Sequence, residues 1–314
     1  MIGAADPLPV TVIGGYLGAG KTTLVNSLLR QANGQRLAVL VNEFGELPID
    51  ADLIEGQDEN VINIAGGCIC CSYGSDLIMA LQDLEQLELS PDHLLIEASG
   101  VAMPDAIAQS TTLIAGYTVN GIVVMADADT VRQHGTDKYL ADTIAHQLGA
   151  ADIVLLNKVD LPSLNELNET RHWLGDFCAD AQIVETEMAN VSLLALLGVR
   201  LGLPALDSGH RHPHAHHETV VLSVNGPVDP CALVSRLSAL PYGLVRTKGF
   251  VTGLDGQTYV VQTVGRRCTV VATSQPVEEV GRIICISCGG KPLIDFSRSL
   301  APSRDGRALI KARV

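Results

Sequence analysis

No apolar run in this chain approaches the roughly 18 to 20 residues needed to cross a bilayer. The opening MIGAADPLPV has no charged segment followed by an apolar stretch, so neither a leader nor a membrane anchor is expected, and the expected location is the cytoplasm. Clusters of Lys and Arg are also missing. With 21 basic against 35 acidic residues the formal net charge is −14, which argues against a protein that tracks nucleic-acid phosphates. Small ligands and protein partners remain. No long internal repeat is present. In a reducing compartment the eight cysteines are expected as metal ligands or core residues before disulfides. What the chain has is length and apolar content: 314 residues, 47% hydrophobic, are enough for an ample core and about two domains.

Apolar runs at 8–13, 36–41, 93–97, 121–126 and 152–157 alternate with helical patterns at 22–32, 77–87, 105–113 and 138–148. Runs such as VTVI, LAVLV and HLLIE are continuously apolar, as expected for parallel strands covered on both faces. The fold class expected is α/β, a doubly wound and mainly parallel sheet, with a smaller α+β C-terminal domain. Residues 1–203 are expected as the first domain and 204–218 as a His-rich linker. The second domain takes 219–314, with strands near 219–224, 243–252, 258–264 and 268–272 and a helix at 230–240. Ligands of such sheets sit beyond the carboxyl ends of the strands.

Residues 15–22 read GYLGAGKT, a complete G-x-x-x-x-G-K-T loop between a strand and a helix. Gly15, Gly18, Ala19 and Gly20 form the turn, and the glycines let backbone N–H groups point at phosphate oxygens. The helix opening with Lys21, Thr22 and Thr23 aims its positive end at the same place. Lys21 is expected to reach the terminal phosphates and the Thr22 hydroxyl to ligate Mg²⁺. After the strand 94–97, Glu97 stands where a carboxylate can hold Mg²⁺ directly or through water, and Gly100 allows a main-chain N–H near the last phosphate. Asn157-Lys158-Val159-Asp160 follows a late strand; Asp160 can accept from the ring imino and exocyclic amino protons of guanine, a donor pair that adenine lacks on that edge.

The segment GGCICC at 66–71 packs Cys68, Cys70 and Cys71 into four positions after the short strand 61–64. Thiolates in that spacing suit Zn²⁺, and also Co²⁺ or Cu⁺. Buried packing and a redox pair are the alternatives. Glu43, with Asn42 and Glu46, follows the second strand and is a candidate for positioning water or Mg²⁺, for ligating the metal, or for a solvated loop acid. Histidines 210, 212, 214, 216 and 217 can form a loading arm or a plain solvated linker. Cys285 and Cys288 form one C-x-x-C and are expected to pack in a core or edge. Cys178, Cys231 and Cys268 are expected to be buried, His93 to be a core or surface residue, and Asp127 and Asp129 to shape a turn.

The order GGYLGAGKTT, VNEFGE, GGCICC, IEASG and NKVD resembles the CobW-like metallochaperone GTPases, relatives of the urease and hydrogenase maturation GTPases. RTKGF at 246–250 resembles a strand of their C-terminal domain. The resemblance implies slow GTP hydrolysis, a transition metal at Cys68, Cys70 and Cys71, and delivery to a client metalloprotein by a monomer or a nucleotide- or metal-dependent homodimer. Zn²⁺ is favoured, Co²⁺ is compatible, and Ni²⁺ and Fe²⁺ fit the same donors. A metal-sensing or scaffold module is the alternative. A dimeric ATPase of the partitioning class is disfavoured because Gly14-Gly15-Tyr16-Leu17 lacks the extra early lysine of that class.

Overall fold

The computed structural model describes residues 7–32, 34–41, 61–65, 75–85, 90–178, 180–198, 217–238, 244–273, 277, 280–288 and 310–313. The chain divides into two compact units, Met1–Val191 and Ser192–Val314. The boundary drawn from sequence at 203/204 lies outside the described residues.

The first unit alternates strands and helices. In chain order these are β1 (Leu8–Gly15), α1 (Lys21–Arg30), β2 (Leu37–Val41), β3 (Val61–Ala65), α2 (Ser75–Glu85), β4 (His93–Glu97) and α3 (Pro104–Thr112). They continue as β5 (Tyr117–Asp127), α4 (Val131–Thr136), α5 (Ala141–Gly149), β6 (Ile153–Asn157), α6 (Leu164–Phe177) and β7 (Gln182–Thr186). All seven strands run parallel in the order β3-β2-β4-β1-β5-β6-β7. β2, β4 and β6 are buried at every residue, the physical reason their sequences show no polar alternation. Strands β4, β2 and β3 extend to one side of β1 and β5, β6 and β7 to the other, so the loop after β1 opens at the switch point of a doubly wound sheet. His93 is buried: its Nε2 lies 2.8 Å from Thr11 Oγ1, which also accepts from Asn120 Nδ2 at 3.1 Å. This bond network fastens the starts of β4, β1 and β5 together without leaving a polar group unmet.

Three helices depart from the sequence expectation, one of them the short α4 at Val131–Thr136, for which no helix was expected. The pattern at 138–148 yields a helix only from Ala141, because Asp137 Oδ1 accepts the N–H groups of Tyr139 (2.8 Å) and Leu140 (3.2 Å) and holds the chain in a turn. Helix α6 was not expected. It starts with a capping box in which Ser163 accepts from the Glu166 N–H while the Glu166 carboxylate accepts from the Ser163 N–H. The Ser163 hydroxyl and N–H hold that carboxyl below the usual range.

The second unit contains α7 (Leu193–Leu197), β8 (His217–Val224), α8 (Pro230–Ser238), β9 (Leu244–Thr252), β10 (Thr258–Val264), β11 (Arg267–Thr273), β12 (Arg282–Cys288) and β13 (Ile310–Arg313). Its sheet is antiparallel, ordered β11-β10-β9-β12-β8-β13. Leu233, Val234 and Leu237 of α8 pack on Val220, Leu222, Val251, Val261, Ile283 and Cys285. Each large apolar side chain buried here contributes about 1.5–3 kcal/mol. Gly249 is required where β9 meets β12, since a Cβ would lie 2.2 Å from the Arg282 carbonyl oxygen. Arg246 is buried and donates to the carbonyls of Leu196 (2.5 Å) and Leu197 (3.2 Å), matching a cation to the carbonyl end of α7.

Burial of Cys178 and Cys285 agrees with the sequence expectation, but Cys231 and Cys268 are exposed. Cys231 occupies the first turn of α8 away from the Leu233, Val234 and Leu237 face, and Cys268 lies on the edge strand β11. Apolar neighbours in sequence did not mean apolar surroundings in space.

Candidate nucleotide site

The loop between β1 and α1 is shaped by glycines in the left-handed region: Gly15 (φ +127°), Gly18 (+75°) and Gly20 (+108°). Two are also forced by contact. A Cβ on Gly15 would lie 2.3 Å from the Met125 carbonyl oxygen, and one on Gly20 would lie 2.6 Å from Asn157 Nδ2. Gly20 is the N-cap of α1; no side chain caps this helix end among the described residues and its first turn has no acid. Its N–H groups therefore face an anion-binding space with the helix dipole behind them. Lys21 is mostly buried, and its Nζ donates back to the Tyr16 carbonyl at 3.4 Å, curled over the loop. Ala19 is buried beneath the loop, while Thr23 is exposed on the next helical position.

Thr22 Oγ1 donates to Glu97 Oε1 at 2.8 Å. Glu97 ends β4 and is 3% exposed, so a hydroxyl and a buried carboxylate meet at the first turn of α1. Two hard oxygens at that spot match the donor type that Mg²⁺ takes. Beyond Glu97, Gly100 packs so close to the phosphate loop that a Cβ would lie 2.5 Å from Leu17 Cγ and 2.9 Å from the Leu17 N. Gln147 on α5 pins this segment, donating from Nε2 to the carbonyls of Gly100 (3.1 Å) and Ala102 (2.9 Å). The role of Gln147 was missed, because a lone glutamine on an amphipathic helix has no motif around it.

Asn157 belongs to the phosphate loop as much as to the base side. It is 2% exposed, its Nδ2 donates to the Ala19 carbonyl at 3.0 Å, and its Oδ1 accepts from the Ala189 N–H at 2.9 Å. Lys158 adopts φ +62° and pairs through Nζ with Asp127 Oδ2 at 2.6 Å. Asp127 also accepts from the Asp129 N–H at 3.0 Å, the expected turn, with the added task of holding Lys158. Asp160 is exposed in a turn closed by the Leu161 N–H on the Lys158 carbonyl at 3.1 Å, and it is free to face a ligand edge. In the loop that Asn157 holds, Met188 (φ +51°) and Ala189 (φ +53°) are both left-handed without being glycine. Such a pair costs strain that the Asn157 bond and the Thr186 Oγ1 bond to the Asn190 carbonyl (2.9 Å) hold in place. This loop was not picked out from sequence.

Lys21, Thr22, Glu97, Gly100 and Asn157 are thus gathered around one loop, and Lys158 and Asp160 follow Asn157 in the turn after β6. Glu43, Cys68, Cys70, Cys71 and the histidines at 210, 212, 214 and 216 lie outside the described residues. Among the described residues no three His, Cys, Asp or Glu side chains are grouped to hold a metal ion.

Residues 9–185 match the CobW/HypB/UreG nucleotide-binding domain, and residues 217–292 match the cobalamin synthesis protein CobW C-terminal domain. The chain belongs to the CobW/HypB/UreG family of P-loop GTPases. It is 30% identical over 305 residues to the zinc chaperone CobW of Sinorhizobium sp, spanning 83% of this chain and 86% of that protein. It is 31% identical over 305 residues to the zinc chaperone CobW of Pseudomonas aeruginosa, spanning 83% and 81%. It is also 34% identical over 191 residues to the zinc-regulated GTPase metalloprotein activator 1 of Schizosaccharomyces pombe, 58% of this chain and 46% of that protein.

Proposed function

We propose that this GTPase is a zinc chaperone: it binds GTP at the β1–α1 loop, takes Zn²⁺ as cargo on Cys68, Cys70 and Cys71, and delivers the ion to a client metalloprotein when GTP is hydrolysed. The names borne by its relatives support zinc as the cargo. One structural observation carries the coupling. Val41, the last residue of β2, pairs with Glu97 on one side and with Ala65 on the other, so β3 and β4 end level at the carboxyl edge. Ala65, the residue that precedes the cysteine segment in the sequence, lies two strand spacings or roughly 10 Å across the sheet from Glu97. A change at the terminal phosphate and a change at the bound metal would then act on segments that leave the same edge of the sheet.

In this reading the N–H groups of the loop and of α1 bind the phosphates, Lys21 uncurls from the Tyr16 carbonyl to pair with the terminal ones, and Asp160 selects guanine. Thr22 and Glu97 would hold Mg²⁺, which supplies positive charge to the phosphates when bound. Glu43 positions water at the terminal phosphate. Bound GTP gathers the thiols; linkage then requires zinc to tighten GTP in return. Histidines 210, 212, 214 and 216 form a loading arm for the same ion, while His217, expected with them, starts strand β8. The protein works as a monomer or a nucleotide- or metal-dependent homodimer in the cytoplasm. Metal analysis after gel filtration with a non-hydrolysable GTP analogue tests the reading: bound zinc is expected in the wild type and lost in Cys70→Ala, with release to an apo-metalloprotein acceptor once hydrolysable GTP is supplied. Equal zinc content in both proteins contradicts it.

A further inference from the structure

The segment that follows β4 is held through several of its backbone groups. The Ala98 N–H donates to the Ile13 carbonyl (2.8 Å), the Ala102 N–H closes a turn on the Ser99 carbonyl (3.1 Å), and Gln147 takes the carbonyls of Gly100 and Ala102. Gly100 lies against the Leu17 backbone, which leaves the segment no room to shift. Within this fixed frame Ser99 Oγ is buried and makes no hydrogen bond among the described residues. A buried hydroxyl without a partner is costly, and alanine would fill the place at no such cost. Ser99 is two residues beyond Glu97, the spacing that returns an extended chain to the same face, and it adjoins the Gly100 contact with the phosphate loop. A missing partner is therefore to be sought on the nucleotide side.

We infer that Ser99 is a triphosphate-sensing residue: its hydroxyl donates to an oxygen of the terminal phosphate, so that the hydroxyl gains its bond only when a nucleoside triphosphate is bound. A diphosphate ends short of it. Ser99 thereby discriminates GTP from GDP without touching the base, and the discrimination rests on the proposed GTP site. The test compares wild type, Ser99→Ala and Ser99→Thr for affinity toward a GTP analogue and GDP, with unfolding of the nucleotide-free proteins alongside. Ser99→Ala is expected to lose about 10–100-fold in affinity for the GTP analogue, the size of one hydrogen bond to a charged group, while GDP affinity and the unfolding midpoint stay unchanged or the midpoint rises. Ser99→Thr, which keeps the hydroxyl, restores the preference. Equal affinity of Ser99→Ala and wild type for the analogue overturns the inference, as does a parallel loss for both nucleotides or a lowered midpoint, which mark a structural hydroxyl. A wild type that binds no guanine nucleotide overturns the site itself, a failure seen before any variant is made.

Discussion

Thr22 and Glu97, separated by 75 positions in the chain, meet through a 2.8 Å hydrogen bond between hydroxyl and carboxylate at the first turn of α1. The bond joins the phosphate loop to the end of the neighbouring strand β4, so what binds at one is felt at the other. Glu97→Gln keeps the shape and removes the charge. We expect it to raise the Mg²⁺ concentration for half-maximal GTP hydrolysis by about 10–100-fold, the usual effect of disturbing a metal's supporting groups. Hydrolysis rates across a Mg²⁺ series measure this, and an unchanged midpoint removes Glu97 from the metal side of the site.

Asn157 ties the phosphate loop to the loop carrying Ala189. Asn157→Ala leaves a carbonyl and an N–H buried without partners, and is expected to destabilise the first unit by about 2–4 kcal/mol and to weaken guanine nucleotides as well. Denaturant unfolding and nucleotide titration check the two effects. If stability falls with affinity intact, Asn157 is a brace only.

Asp160 is exposed and available to a ligand edge. If it reads the exocyclic amino group, wild type prefers GTP to ITP, whose base lacks that group, and Asp160→Asn levels the preference by losing about 10–100-fold in GTP affinity. A preference that survives the substitution assigns base selection elsewhere.

Burial pushes the Cys178 thiol up from about 9 to about 12. Because the folded protein keeps its proton longer than the unfolded chain, the contribution is full below pH 9 and is lost as pH rises from 9 toward 12, at up to about 1.4 kcal/mol per pH unit. Trp173 packs on Phe177 one position before the cysteine, at 4.6 Å between ring centroids, and its fluorescence reports this unit. Alkaline unfolding should be shallower in Cys178→Ala; identical slopes count against a buried thiol.

Strand positions and the phosphate loop were legible because each rests on local rules: continuous apolar runs for a doubly covered sheet, and glycine spacing for a turn around phosphate. Helix α6 was legible too, in Ser163 and Glu166, but its face is mostly polar and hid the capping signal. RIICISC at 282–288 looked like a cysteine pair; its place between β9 and β8 depends on partners far away in the chain. Asn157, Gln147 and the left-handed pair Met188 and Ala189 owe their roles to contacts that exist only after the strands align. Such contacts carry no local spelling, and the exposure of Cys231 and Cys268 was misjudged for the same reason.

The central claim is that nucleotide state sets metal affinity. The most direct measurement is a zinc titration of the full chain with a non-hydrolysable GTP analogue and again with GDP, at fixed Mg²⁺ and pH. We expect zinc to bind about 5–150-fold more tightly with the analogue, with the same factor appearing when GTP analogue affinity is measured with and without zinc. Equal zinc affinity in the two nucleotide states contradicts the account.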